Sequence, residues 1–150
     1  MDIAAIGSAI ATRFAAVTAP TNYAAIQAST YLRQKGAGKA PFVITYFNGT
    51  RDLEYAYQRR SGVADYTAIF YYSKAADIEQ TDTGLQAWHD KLLDALIGQL
   101  MLGQSGGTNG VTGAYMRAAR LGESTLGGVD FAVIEMPIEV EFTHAVTVAA

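Results

Sequence analysis

A long apolar stripe between residues 82 and 102 restricts the fold of this chain more than any other feature. Its positions recur at spacings of three and four, which places them on one side of an α-helix. The stripe comprises Leu85, Trp88, His89, Leu92, Leu93, Leu96, Ile97, Leu100 and Met101. Asp82 or Thr83 suits the N-cap, and Gly103 suits the position after the C-terminus. We therefore predict a helix that begins near Asp82, ends near Leu102 and packs on a larger apolar surface.

A second, shorter stripe lies near the N-terminus. It comprises Ile3, Ile6, Ile10, Phe14 and Val17. The same helical spacing predicts an amphipathic helix over residues 3–17, which Pro20 ends. Residues Thr21–Leu32 alternate weakly between apolar and polar side chains, and their alanines would also tolerate a helix. We predict a strand there.

The dipeptide Asn48-Gly49 stands between two runs that are rich in strand-forming residues. Asn-Gly is a strong hairpin signal because both residues tolerate positive φ. A two-residue turn would set Ile44 opposite Leu53, with the bulky side chains of both strands on one face. That face would carry Phe42, Ile44, Tyr46, Leu53, Tyr55 and Tyr57. The pattern predicts a hairpin over residues 42–59.

The rest of the chain reads as further strands separated by glycine-containing loops. Val63–Tyr72 is a predicted third strand, residues 103–113 a glycine-rich loop, and Ala114–Leu121 a fourth strand. Gly122–Gly128 is a predicted turn, and Val129–Val148 a long final strand. The order of helix, strands, helix, strands differs from strict βαβ alternation. It predicts one domain over residues 1–150 with an α+β fold: an antiparallel or mixed sheet with two amphipathic helices packed on one face.

The final strand alternates regularly. Its apolar face carries Ala132, Ile134, Met136, Ile138, Val140 and Phe142. Its polar face carries Glu135, Pro137, Glu139, Glu141 and Thr143. Because Pro137 has no backbone N–H, it predicts a sheet edge or a bulge.

Composition excludes several classes of protein. A net charge of −3 argues against broad affinity for nucleic acid, which depends on many phosphate contacts. No window approaches the length of apolar chain that a membrane span needs, so no membrane association is expected. The N-terminus has an acid at Asp2 and no early basic residue, which predicts a helix of the mature protein instead of a signal peptide. The chain has no cysteine, which excludes disulfides and thiolate metal ligands.

No catalytic constellation is evident in the sequence. His89 and His144 lack the spacing of metal ligands. His89 is predicted to be a structural residue at the margin of the core, and His144 is predicted to share a strand face with Phe142 and Val146. Neither a phosphate-binding loop nor a nucleophile elbow is present. The carboxylates of the final strand are typical of a solvated sheet face, and the tyrosines are typical of core packing and protein interfaces. We predict a protein that assembles with other proteins, not an enzyme, and without metal or cofactor.

The layout resembles the tail terminator (tail completion) proteins of long-tailed bacteriophages. The resemblance rests on four segments in order: IAAIGSAIATRFAAV; APFVITYF with the hairpin and VADYTAIFYYSKA; LQAWHDKLLDALIGQLM; and GGVDFAVIEMPIEVEFTHAV. It implies a homohexameric ring in the virion that caps the tail tube and joins it to the neck, after synthesis in the host cytoplasm. Alternatives are another neck, head-completion or baseplate adaptor protein, and a small enzyme.

The resemblance also implies where partners would bind. The tail tube protein, the neck or head-completion protein and neighbouring copies would meet the turns and loops, represented by Asn48, Gly49, Arg51, Gly106, Gly107, Asn109 and Gly127. DNA would pass through the ring without sequence-specific binding. If Glu135, Glu139 and Glu141 faced the channel, their charge would repel DNA and let it slide. This hypothesis is motivated only by the alternation of the final strand.

Overall fold

The computed structural model describes residues 1–32, 39–74, 78–96, 102 and 109–146. This part of the chain contains two helices and six strands. In chain order they are α1 (Ile3–Ala15), β1 (Ala28–Tyr31), β2 (Phe42–Ala56), β3 (Arg59–Ser73), α2 (Ile78–Leu93), β4 (Val111–Met116), β5 (Arg120–Leu126) and β6 (Val129–Ala145).

The six strands form one mixed sheet. Its order is β1-β2-β3-β6-β4, and β5 also pairs with β6. β1 runs parallel to β2, whereas all the other pairs are antiparallel. β4 and β5 share one edge of β6, since β5 pairs with its first half and β4 with its second. The predicted α+β fold with a mixed sheet is confirmed. Neither described helix is long and apolar enough to cross a bilayer.

The main core lies where both helices meet the sheet. α1 contributes Ile6, Ile10 and Phe14, as its stripe predicts, and Asp2 caps it by accepting a 2.9 Å hydrogen bond from the Ala5 N–H. α2 contributes Leu85, Trp88 and Leu92 to the same cluster. The predicted apolar face of β6 is fully buried against them: Ala132, Ile134, Met136, Ile138, Val140 and Phe142.

A smaller aromatic cluster occupies the opposite face at one end of the sheet. It consists of Phe42, Ile44, Tyr71, Leu126, Phe131 and Val133. Phe42 stacks on Tyr71 with ring centroids 4.7 Å apart, and Phe131 meets both rings edge-on. Burial raises the pKa of Tyr71 to about 12, so its phenol is protonated at neutral pH.

The predicted turn at Asn48-Gly49 is wrong. β2 continues through it, with Phe47 opposite Tyr66 and Gly49 opposite Asp65, which leaves Asn48 as the extra residue of a bulge. Gly49 has a φ of 124°, so the residue pair that suits a tight turn here accommodates a bulge instead. The chain reverses nine residues later at Tyr57-Gln58, between the partners Ala56 and Arg59.

The second helix begins earlier than its capping residues predict. α2 starts at Ile78, so Asp82 and Thr83 lie inside it, and it ends at Leu93 before a turn over residues 94–96. The predicted end near Leu102 falls in a stretch of which residues 97–101 are outside the described part. Within that part the stripe is buried except at its margin, where His89 is partly exposed and Leu93 is 42% exposed.

Two strand predictions and one turn prediction also need correction. The strand expected over Thr21–Leu32 is only the four residues of β1. The strand expected over Ala114–Leu121 spans the break between β4 and β5, and Gly122 lies inside β5 instead of in a turn. The turn before β6 is confined to Gly127-Gly128, where both residues have positive φ.

Pro137 does not mark a sheet edge, because β6 is an interior strand. It lies opposite the gap between β4, whose last partner is Ile138, and β5, whose first partner is Glu135. The Pro137 carbonyl still accepts a 3.0 Å hydrogen bond from the Arg117 N–H in that gap. Proline, which has no N–H to donate, therefore lies at the point where the neighbouring edge is interrupted.

Candidate assembly surface

The most exposed apolar side chains of the sheet lie at the end of the β2–β3 hairpin. We define the hairpin tip as residues Leu53–Arg60. Tyr55 is 70% exposed, Tyr57 is 83% exposed and Leu53 is 42% exposed. Tyrosine offers a large, amphipathic contact area and is enriched at protein interfaces. These two tyrosines and Leu53 together form a candidate contact surface.

The tip is exposed because β1 is short. β1 pairs with β2 only as far as Thr45. Beyond that residue no strand in the described part of the chain pairs with the outer edge of β2, and residues 51–59 are all exposed. The hairpin therefore continues past the region that the helices cover.

The base of the tip is nevertheless held firmly on β6. Arg59 is opposite Ala145 and Arg60 is opposite His144 in the β3–β6 ladder. The Val146 N–H donates a 3.0 Å hydrogen bond to the Gln58 carbonyl, and the Arg60 Nε–H donates a 3.1 Å hydrogen bond to His144 Nε2. The tyrosines are thus presented on an anchored support.

His144 is a structural histidine at this support. Its ring is buried and packs 5.6 Å from the Phe142 ring. Because Nε2 accepts from Arg60, the proton of the neutral ring is on Nδ1, which lies 3.1 Å from the Ala145 carbonyl oxygen. Burial, the N-terminal ammonium and Arg60 lower the pKa of His144.

This lowered pKa predicts that mild acid destabilises the fold. A histidine whose folded pKa lies below its unfolded value near 6.5 contributes stability that is complete above pH 6.5. That stability declines as the pH falls from 6.5 toward the folded pKa, because protonation ends the Arg60 hydrogen bond and sets two cations together. We expect the urea midpoint to fall between pH 7.5 and 5.5, and His144→Gln to flatten that dependence. The partly exposed His89, changed to Gln, is the control and should keep the wild-type slope; equal slopes in both variants would contradict the assignment.

A network of charged side chains covers the neighbouring part of the sheet, on the face opposite the main core. Arg51 contacts Asp65 at 2.9 Å and Asp52 at 2.8 Å, and it also contacts Glu139. Arg117 contacts the other oxygen of Glu139 at 2.6 Å. Asp65 and Glu139 are directly opposite each other on β3 and β6, so their repulsion would weaken the ladder without the bridging Arg51. The network therefore joins β2, β3, β6 and the end of β4.

The three glutamates proposed for a channel share this face of β6 but differ in environment. Glu139 is held by two arginines, which offsets its charge. Within the described residues Glu135 and Glu141 make no ion pair, and Glu135 is exposed opposite Arg120 on β5. A repulsive lining would therefore depend mainly on Glu135 and Glu141.

The residues predicted as interface positions do not form one surface. Asn48 and Gly49 lie in the β2 bulge, where Asn48 Nδ2 donates to the Thr67 hydroxyl. Asn109 accepts a 2.6 Å hydrogen bond from the Asp2 N–H. Gly127 lies at the start of β6, whereas the hairpin tip is near its end. Gly106 and Gly107 are outside the described residues, as is most of the predicted 103–113 loop, although Val111–Gly113 is in β4.

The sequence pattern predicted that Tyr55 and Tyr57 share a sheet face with Phe42 and Ile44. That prediction depended on the turn at Asn48-Gly49, which is wrong. Because Tyr57-Gln58 contains neither glycine, proline nor asparagine, no turn signal marks the true reversal. Arg59 and Arg60, which follow the tyrosines, are the local sequence feature that indicates a solvent-exposed end of the hairpin.

The described residues contain no group of three or more histidine, aspartate or glutamate side chains that could hold a metal ion. The sequence matches no protein-family model, and no curated protein matches it.

Proposed function

We propose that this protein is a structural assembly subunit that forms a ring, caps a phage tail tube and joins it to the head–neck connector. The observation that carries the proposal is the anchored hairpin tip with exposed Tyr55 and Tyr57. A monomer gains nothing from placing aromatic side chains beyond its own core, whereas a subunit of an assembly can bury them against a partner.

The mixed sheet is a second support for assembly. The two edges of the sheet differ, since one edge carries β1 and the open part of β2, and the other edge carries β4 and β5. A subunit with two unlike edges can make head-to-tail contacts, and such contacts close into a ring when the rotation between copies permits. A third support is the order of a helix, the first strands of the sheet, a second helix and a long final strand, which resembles the layout of tail terminator proteins.

Negative-stain electron microscopy tests this function. The purified chain would be imaged alone and after mixing with phage tail tubes that lack their head-proximal end protein. We expect rings as wide as the tube, or density at one end of each tube. Binding to head vertices or to the tube sides instead would indicate a neck or adaptor protein. No association with either structure, and no rings, would contradict the proposal.

A further inference from the structure

The outward side of α2 carries an acidic stripe with one apolar residue. Asp82, Gln86, Asp90 and Leu93 fall within one quarter of the helical circumference, beside the buried side that carries Leu85, Trp88 and Leu92. All four are exposed, and Leu93 is 42% exposed. We call these four residues the α2 stripe.

The hairpin tip has the complementary character. It carries Arg59 and Arg60 against the single acid Glu54, and it exposes Leu53, Tyr55 and Tyr57. An arginine-bearing aromatic surface therefore matches an acidic stripe that contains an exposed leucine.

The two surfaces of one chain cannot meet each other. α2 packs on the sheet through Trp88, whose ring lies 4.9 Å from that of Phe70. β3 extends about 36 Å between Phe70 and Arg59 at the usual rise of a strand. The complementary partner of the tip must therefore be supplied by another chain.

Strand addition at the open edge of β2 is a poorer explanation for the tip. The edge is broken by bulges after Phe47 and after Arg51, and Asp52 in the second bulge has a φ of 54°. Bulges and charged side chains are devices that prevent an edge from pairing with a foreign strand. The tip is consequently suited to contact through side chains.

We infer that the hairpin tip of one copy docks on the α2 stripe of the next copy. Tyr57 and Tyr55 would pack on Leu93, while Arg59 would face Asp82 and Asp90. This inference rests on the assembly part of the proposed function and adds the surfaces that join neighbouring copies. A copy whose tip contacts one neighbour and whose stripe contacts another is joined head-to-tail, as a ring requires.

Disulfide trapping tests the contact, since the chain has no cysteine of its own. Chains with Tyr57→Cys and chains with Gln86→Cys would be mixed at high concentration and oxidised. We expect a mixed 57–86 disulfide as the main product, and a chain with both changes should give a ladder of linked oligomers. Tyr57→Cys mixed with the exposed Thr112→Cys of β4 is the control and should give little product. Failure of the 57–86 pair to exceed that control would overturn the inference.

Charge reversal provides a second, independent measurement. Arg59→Glu alone, and Asp82→Arg with Asp90→Arg, should each weaken self-association at least about tenfold, because like charges then meet. The three changes together in one chain should restore it, whereas Arg120→Glu on β5 should leave it unchanged. If oligomers form but ignore these changes, the contact is wrong while the assembly function stands. If no oligomer or tube-bound form appears at all, the assembly function itself fails.

Discussion

Trp88→Ala is expected to lower the free energy of unfolding by about 3–5 kcal/mol, which is the usual cost of truncating a large buried aromatic residue. Trp88 is fully buried, and its ring packs at 4.9 Å on Phe70, so it joins α2 to the middle strands of the sheet. Removing it leaves a cavity between α2 and the sheet. Urea unfolding followed by circular dichroism measures the loss.

Trp88→Phe is the matched control for this prediction. It keeps an aromatic ring on Phe70 and removes the indole N–H, which has no hydrogen-bond partner within the described residues. We expect Trp88→Phe to lower the free energy of unfolding by less than half as much as Trp88→Ala. Losing part of the packing destabilises the fold, but losing an unpaired buried donor offsets some of that cost. Gln86→Ala on the outside of α2 should change stability by less than about 0.5 kcal/mol. A Trp88→Ala loss below about 1 kcal/mol would mean that α2 is not packed as described.

Gly110→Ala is expected to destabilise the fold by at least about 2 kcal/mol, because two costs act together. Gly110 has a φ of 55°, a conformation that alanine adopts at a cost. An added Cβ would also lie 1.9 Å from the Thr143 carbonyl oxygen, which is backbone and cannot rotate away. The Gly110 carbonyl accepts a 2.9 Å hydrogen bond from the Thr143 N–H, so the clash would displace β4 from β6.

Alanine substitutions at two other glycines measure the backbone strain and the steric clash separately. Gly128 also has positive φ, but a Cβ there meets nothing within 4 Å, so its change to alanine should cost about 1 kcal/mol from backbone strain alone. A Cβ on Gly122 would lie at an ordinary 3.8 Å from Val133, and alanine there should be neutral or slightly stabilising. Thermal unfolding of the three variants gives the ranking. Equal losses at Gly110 and Gly128 would show that the backbone contact at Thr143 is not as close as described.

Apolar periodicity predicted the parts of this fold that face the main core. The stripes of α1 and β6 are buried as expected, because burying one side of an element leaves a regular trace in its sequence. The end of a strand leaves a weaker trace. Asn48-Gly49 has the local chemistry of a turn, yet the long partner strand β3 keeps β2 extended and turns the same residues into a bulge. Pairing at twelve positions of β2 outweighs a local preference of about 1 kcal/mol.

The candidate surface was harder to predict than the core for the same reason. Tyr55 and Tyr57 look like core residues once the turn is placed at Asn48, and only the true reversal at Gln58 moves them to an exposed tip. Glu139 illustrates a second limit. Alternation predicts the face that it shares with Glu135 and Glu141, but its two arginine partners come from distant strands that no local pattern connects.

The mass of the protein in solution and on tail tubes shows whether identical copies of this chain assemble. Multi-angle light scattering across a concentration series, with cross-linking of the tube-bound fraction, would give that mass. We expect a closed species of about 96 kDa, six chains of 16.0 kDa, which becomes less stable when the charge of Arg59 is reversed. A single 16.0 kDa species at every concentration, with and without tubes, would contradict it.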